Sequence, residues 1–111
     1  MPKIDVNTFN SLKESTGEDF ISELVDAFLD DAPALISQMR SALADKNAEV
    51  FRRAAHSMKS NAATFGAMEL SALARELEAL ARENNLEVGN RVDLIESEFQ
   101  VVKNELEALK M

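Results

Sequence analysis

The sequence predicts an all-α fold: an up-down-up-down antiparallel four-helix bundle with a short additional N-terminal helix, formed by residues 1–111 as one domain. Three observations carry this expectation. Strong helix formers dominate the 111 residues, whereas glycine occurs 3 times, proline 2 times, and Trp and Tyr not at all. Four long segments repeat their apolar residues at helical spacing, and the short connections between them favour antiparallel neighbours. No linker, low-complexity stretch or internal repeat divides the chain.

Residues 8–15 (TFNSLKES) predict a short helix with Thr8 as N-cap, Phe9 and Leu12 on one side and Gly17 past its end. A second helix is expected from Thr16 to about Ala44, with Asp19 as a capping-box variant and apolar positions at 21, 25, 28, 35, 39 and 43. Pro33 lies inside it. Lacking an N–H and pressing its ring on the carbonyl of Leu29, it predicts a kink, or a break and restart. After the turn Asp45-Lys46-Asn47, a third helix carries Phe51, Ala55, Met58, Ala62 and Phe65 and stops at Gly66, suited to the left-handed position past a helix end. The fourth runs from about Ala67 to Asn84 on Leu70, Leu73, Leu77 and Leu80. Asn84-Asn85 and Gly89 mark the next connection, and Asn90 is placed to cap a fifth helix bearing Val92, Ile95, Phe99, Val102, Leu106 and Leu109. The last two seams resemble heptads, so a coiled-coil oligomer is the rival architecture; four seams and short loops within one chain favour a closed monomer.

Composition excludes several functions. A formal charge of −8 with no basic segment argues against nucleic-acid binding, which needs clustered Lys and Arg. Without cysteine there is no disulfide framework, no thiolate nucleophile and no Cys-based zinc site; one histidine and no H-E-x-x-H spacing leave no expected metal site. No apolar run approaches the ~18 residues of a membrane span, and MPKIDVNTF has no signal-like apolar region. A soluble, cytoplasmic protein is expected. There is no Gly-rich phosphate loop, hence no evident ATP site, and Ser57 or Ser60 beside the histidine suggests no oxyanion hole.

The one histidine, His56, lies about 140° around the third helix from its apolar stripe and should be exposed. Helical spacing surrounds it with Arg52, Arg53, Lys59 and Ser60, and places Ala63 two turns on. Arg52 and Lys59 disfavour a second positive charge, which leaves a ring nitrogen with a free lone pair and makes the imidazole a nucleophile. The same cations, Lys59 above all, are suited to a phosphoryl oxygen, and small Ser60 and Ala63 let a partner approach. These features suit a histidine that carries a phosphoryl group. The plain alternative is a solvated histidine among solvated charges.

Residues 54–67, AAHSMKSNAATFGA, followed by Leu70, resemble the signature of histidine-containing phosphotransfer (HPt) domains, approximately A-H-x-L-K-G-S-[SA]-x-x-[LF]-G-A and then a leucine. The resemblance implies that His56 is phosphorylated at Nε2, that Lys59 is its companion cation, and that Gly66 terminates the helix. Met58 stands in place of Leu, a volume-conserving swap, Ser60 in place of Gly, and Asn61 in place of Ser. The implied task is to relay a phosphoryl group between aspartates of response-regulator receiver domains, with a hybrid sensor histidine kinase as a further partner. No kinase activity and no cofactor of its own are expected, since a receiver would supply Mg²⁺ and the acidic pocket. Lys59, Arg52 and Ser60 are the expected phosphoryl-stabilising residues. Counting back along the second helix puts residues 35–37 level with His56, so Ser37 and Gln38 are expected to join Arg53 and Ala63 in a docking surface. Two further readings stay open: a non-phosphorylated helical adaptor that docks receiver or kinase domains, and a coiled-coil oligomerisation module.

Overall fold

A computed structural model of the chain describes residues 3–109. Its elements are α1 (Val6–Thr16), α2 (Glu18–Ala44), α3 (Ala48–Thr64), α4 (Met68–Arg82) and α5 (Arg91–Leu109), with no strand among the described residues. Helices α2, α3, α4 and α5 pack in a closed ring, each against the next and α5 back against α2, while α1 lies on α2 and α3. Among the described residues the ring has no close diagonal contact, as an antiparallel four-helix bundle requires. At about 1.5 Å per residue, the 27-residue α2 spans the molecule's long dimension of 41 Å. No helix among the described residues is long and apolar enough to cross a membrane.

The predicted stripes of α3 and α5 form the core, whereas on α4 the buried line runs Leu70, Ala74, Leu77, Ala81 and the expected Leu73 and Leu80 are half-buried flanks of it. Phe51, Ala55, Met58, Ala62 and Phe65 are buried, as are Val92, Ile95, Phe99, Val102 and Leu106 of α5, with Leu109 partly covered. Phe28 of α2 joins three elements at once: it stacks on Phe65 with ring centroids 5.2 Å apart and meets Phe99 edge-on at 5.9 Å. On α2 the buried line runs Phe28, Ala32, Ile36, Met39, Ala42, so the expected Leu35 and Leu43 are only half-buried flanks of it. Pro33 does not break α2. It sits on the exposed side, where solvent can serve the Leu29 carbonyl, while Phe28 and Ile36 on either side are held by one core.

The N-terminal boundaries differ from expectation. Asp5, not Thr8, caps α1, its carboxylate accepting the Asn7 and Thr8 N–H groups. Thr16 ends α1 instead of opening α2, its hydroxyl turned back to the Leu12 carbonyl, and Gly17 bridges the two helices. Three helices end alike. Beyond α2, α3 and α4 the residues Lys46, Gly66 and Asn84 take positive φ, and paired N–H groups return to the last turn in Schellman fashion: Lys46 to Leu43 and Asn47 to Ala42, Gly66 to Ala63 and Ala67 to Ala62, Asn84 to Ala81 and Asn85 to Leu80. Gly66 carries a second duty. Its carbonyl accepts the Asp5 N–H at 2.8 Å, and a Cβ there would lie 2.8 Å from the Asp5 carbonyl oxygen, so α1 docks because this residue has no side chain.

Gly66→Ala is therefore expected to lose at least about 2 kcal/mol, strain plus the displaced α1, whereas Lys46→Gly, relieving a left-handed lysine, gains about 0.5–1 kcal/mol. Urea denaturation of the two variants checks the opposite signs.

Candidate functional site

Asn47 opens α3 by accepting the Val50 N–H, and the buried stripe then turns the opposite face of the helix outward. His56 stands midway on that face with its side chain 55% exposed, as its spacing predicts. The sequence places only cations around it; the structure adds a carboxylate. Glu78, on the α4 face that packs against α3, has a side chain 3% exposed and is the only buried charged residue among those described.

Glu78 holds the site together. Its Oε2 lies 2.7 Å from His56 Nδ1 and accepts a longer bond from Arg82 Nη2 at 3.2 Å, while Oε1 accepts from Lys59 Nζ at 2.6 Å. Burial pushes the Glu78 carboxyl up, but the hydrogen bonds from Lys59 and His56, with their charge, outweigh it and hold the group below its ordinary 4.5. An ionised carboxylate only accepts, so the shared hydrogen belongs to Nδ1, and in the neutral form of the ring the lone pair is then on the outer nitrogen, Nε2. Ser71 adds a second tie, its hydroxyl donating to the Lys59 carbonyl at 2.9 Å and fixing α4 against the turn of α3 that follows His56.

The other predicted residues divide. Lys59 is at the site, but its ammonium is engaged by Glu78 instead of projecting free. Arg52 is drawn back one turn into a two-pronged bond with Glu49, at 3.1 and 2.6 Å, and so is no unpaired cation beside the ring. Arg53 is exposed, with Nε 3.6 Å from the same carboxylate. Ser60 is exposed one turn past His56, and Ala63 is half-buried beyond it. Ser37 and Gln38 part company, because successive helical residues diverge by about 100°. Ser37 lines a groove with Arg40, Phe99 and Gln100 between α2 and α5, across the bundle from the α3–α4 pair; this removes it from the side where His56 meets Glu78. Gln38 is exposed on the flank continued from Leu24, Ala27 and Asp31, which line a groove with Asn61 and Thr64 of α3. Among the described residues no group of three or more His, Cys, Asp or Glu side chains is arranged to hold a metal ion.

Glu78 and Arg82 lie on α4, outside the segment 54–67 that points to the site. Their signal lies in LARELEALAR: Glu78 is four residues after buried Ala74 and three before buried Ala81, a charge at a stripe position, with Arg82 at i+4.

A family model described as Hpt domain matches residues 23–111. Among solved structures, histidine-containing phosphotransfer protein B (HptB) from Pseudomonas aeruginosa PAO1 superposes with a TM-score of 0.88 at 28% identity, covering 98% of this chain and 95% of that one. A comparison with curated proteins finds no match.

The Glu78 geometry has a pH signature. Because the folded state holds this carboxyl below 4.5, its contribution to stability is present above that pH and is lost as pH falls through the folded value. Glu78→Gln is expected to cost about 1–3 kcal/mol near pH 7 and much less near pH 3, read by urea denaturation at the two pH values.

Proposed function

The chain belongs to the family of histidine-containing phosphotransfer domains, carriers of phosphoryl groups in phosphorelays, and we propose that His56 is its carrier residue, taking a phosphoryl group from the aspartyl phosphate of one receiver domain and passing it to an aspartate of another. The observation that carries this reading is the 2.7 Å hydrogen bond from His56 Nδ1 to Glu78. It holds the ring edge-on to α4 and turns Nε2 outward, where an attacking lone pair is needed.

In the forward step the Nε2 lone pair forms a bond to phosphorus as the bond from phosphorus to the aspartyl oxygen breaks, its electrons leaving with the aspartate carboxylate. The ring keeps its Nδ1 hydrogen and becomes a phosphorylated imidazolium. Its positive charge faces the Glu78 carboxylate, so the intermediate is stabilised without any proton having to move. In the reverse step the bond from phosphorus to nitrogen breaks and its electrons return to Nε2. Lys59 keeps Glu78 ionised and, at the edge of the ring, contributes positive charge toward the phosphoryl oxygens; Ser60 leaves room for them. Mg²⁺ and the acidic pocket around the aspartate belong to the receiver in this reading, and a hybrid sensor kinase supplies the phosphoryl group upstream.

Incubation with a panel of phosphorylated receiver domains tests it. Wild type is expected to take an acid-labile label and His56→Gln none. Glu78→Ala, which frees the ring, is expected to keep the label but form it about 10- to 100-fold more slowly. Label on His56→Gln, or an acid-stable label on wild type, contradicts the proposal.

A further inference from the structure

The side of the bundle turned away from His56 takes no part in the chemistry proposed above, yet it is shaped and charged in a particular way. Between α2 and α5 a groove of about 260 Å³ passes over Ile36 and Phe99, both core residues. Pro33, Ser37 and Gln100 wall it, and the ion pair of Arg40 with Glu96 closes one end. A second hollow, sharing Arg40, Glu96 and Gln100, carries the surface on to Ser97 of α5. Leu94 and Val101, three residues before and four after Ser97, are large apolar side chains left exposed. Exposed apolar residues scattered singly are ordinary; two of them two turns apart on one helix, beside a groove with an apolar floor, form a patch.

Charge selects what covers this patch. Helices α2 and α5 together carry 11 carboxylates against 3 cations, Arg40, Arg91 and Lys103, which is the whole formal charge of −8; the rest of the chain balances to zero. Two of these cations are already engaged, Arg40 by Asp93 and Glu96 and Arg91 by Glu76. A second copy would bring the same acidic face to this one, and nucleic acid or an anionic membrane would be repelled by it. The groove is also smaller than the roughly 300–1,000 Å³ of a small-molecule pocket, which suits it to one or two side chains of a larger partner. An apolar floor and an acidic rim together ask for apolar side chains flanked by lysine or arginine.

We propose that the α2–α5 face binds a basic amphipathic helix of a partner protein, its apolar stripe seated over Ile36 and Phe99 and against Val101, its flanking cations meeting the carboxylates of both helices. Two parallel ridges with a groove between them are the form that receives such a helix. The site lies across the bundle from the α3–α4 pair, so a partner held there leaves His56 accessible to another protein. The proposal stands on the groove and its charge and is independent of the role of His56.

Three synthetic helical peptides of about 18 residues serve as probes in ¹⁵N NMR titrations of the full chain. The first has a leucine stripe flanked by lysines, the second the same leucines flanked by glutamates, the third the same lysines with serines in the stripe. The leucine-lysine peptide is expected to shift the amides of Ile36, Ser37, Phe99 and Gln100 and to leave those around His56 in place, and each control to bind at least about tenfold more weakly. Gln100→Trp, which fills the groove from an exposed position, is expected to weaken binding at least about tenfold. Asp30→Lys, exposed one turn before Pro33, is expected to weaken it about three- to tenfold at 0.1 M salt and to match wild type at about 1 M. Unchanged urea denaturation of both variants separates these losses from unfolding. No binding at about 1 mM peptide, equal binding by either control, shifts centred on α3 and α4, or full affinity in both variants overturns the proposal. So does a concentration-dependent mass of wild type, or its binding to anionic vesicles, that Gln100→Trp abolishes. Label uptake from phosphorylated receivers is scored separately: wild type should take label equally with and without the peptide, and wild type that takes none in either state defeats the phosphoryl reading while leaving this site standing.

Discussion

A carboxylate with its side chain 3% exposed cannot remain ionised unless donors replace the water it has lost, and at Glu78 the two short ones come from α3, His56 on one oxygen and Lys59 on the other, with Arg82 of α4 adding a longer one. This exchange fixes more than a pair of side chains. It sets the register of α4 against α3, orients the imidazole, assigns its hydrogen to Nδ1, and engages the lysine that the sequence alone leaves free. Removing any one of the three would leave a buried charge or a freely turning ring, so the function of His56 and the packing of α4 are one problem.

The bridge is short, so the helices must be close, and small residues make that possible. Ala54, Ala55 and Ala62 on α3 and Ala74 and Ala81 on α4 are all buried, giving the backbones room to approach. The turn between the helices sustains this approach. Gly66 takes a positive φ, donates to the Ala63 carbonyl while Ala67 donates to that of Ala62, and accepts the Asp5 N–H, so the α1 arm is tied to the same corner. Glu105 completes the arm's attachment by accepting from the backbone N–H groups of Lys3 and Ile4. The large side chains act farther away, where Phe28 joins Phe65 and Phe99.

Periodicity made the bundle legible. The five core residues of α3, the seam of α5 and the stop at Gly66 follow from spacing within one helix, and so does the exposure of His56, which is the angle between one residue and its own stripe. What spacing cannot express is a relation between helices. The Glu78 bridge, the retreat of Arg52 onto Glu49 and the separation of Ser37 from the His56 side all depend on which neighbour each face meets. Asp5 takes the cap from Thr8 because α1 begins earlier than its apolar pattern does, and Pro33 does not break α2 because burial on both sides of it outweighs one lost hydrogen bond.

The central claim is that Glu78 presents Nε2 of His56 as the reactive nitrogen, and ¹⁵N-resolved NMR of the His56 ring, before and after phosphorylation, tests it most directly. The account predicts a ring with its hydrogen on Nδ1 in the free protein and phosphorus bonded to Nε2 afterwards, with the Nδ1 hydrogen retained. A free ring with its hydrogen on Nε2, or phosphorus on Nδ1, would contradict it.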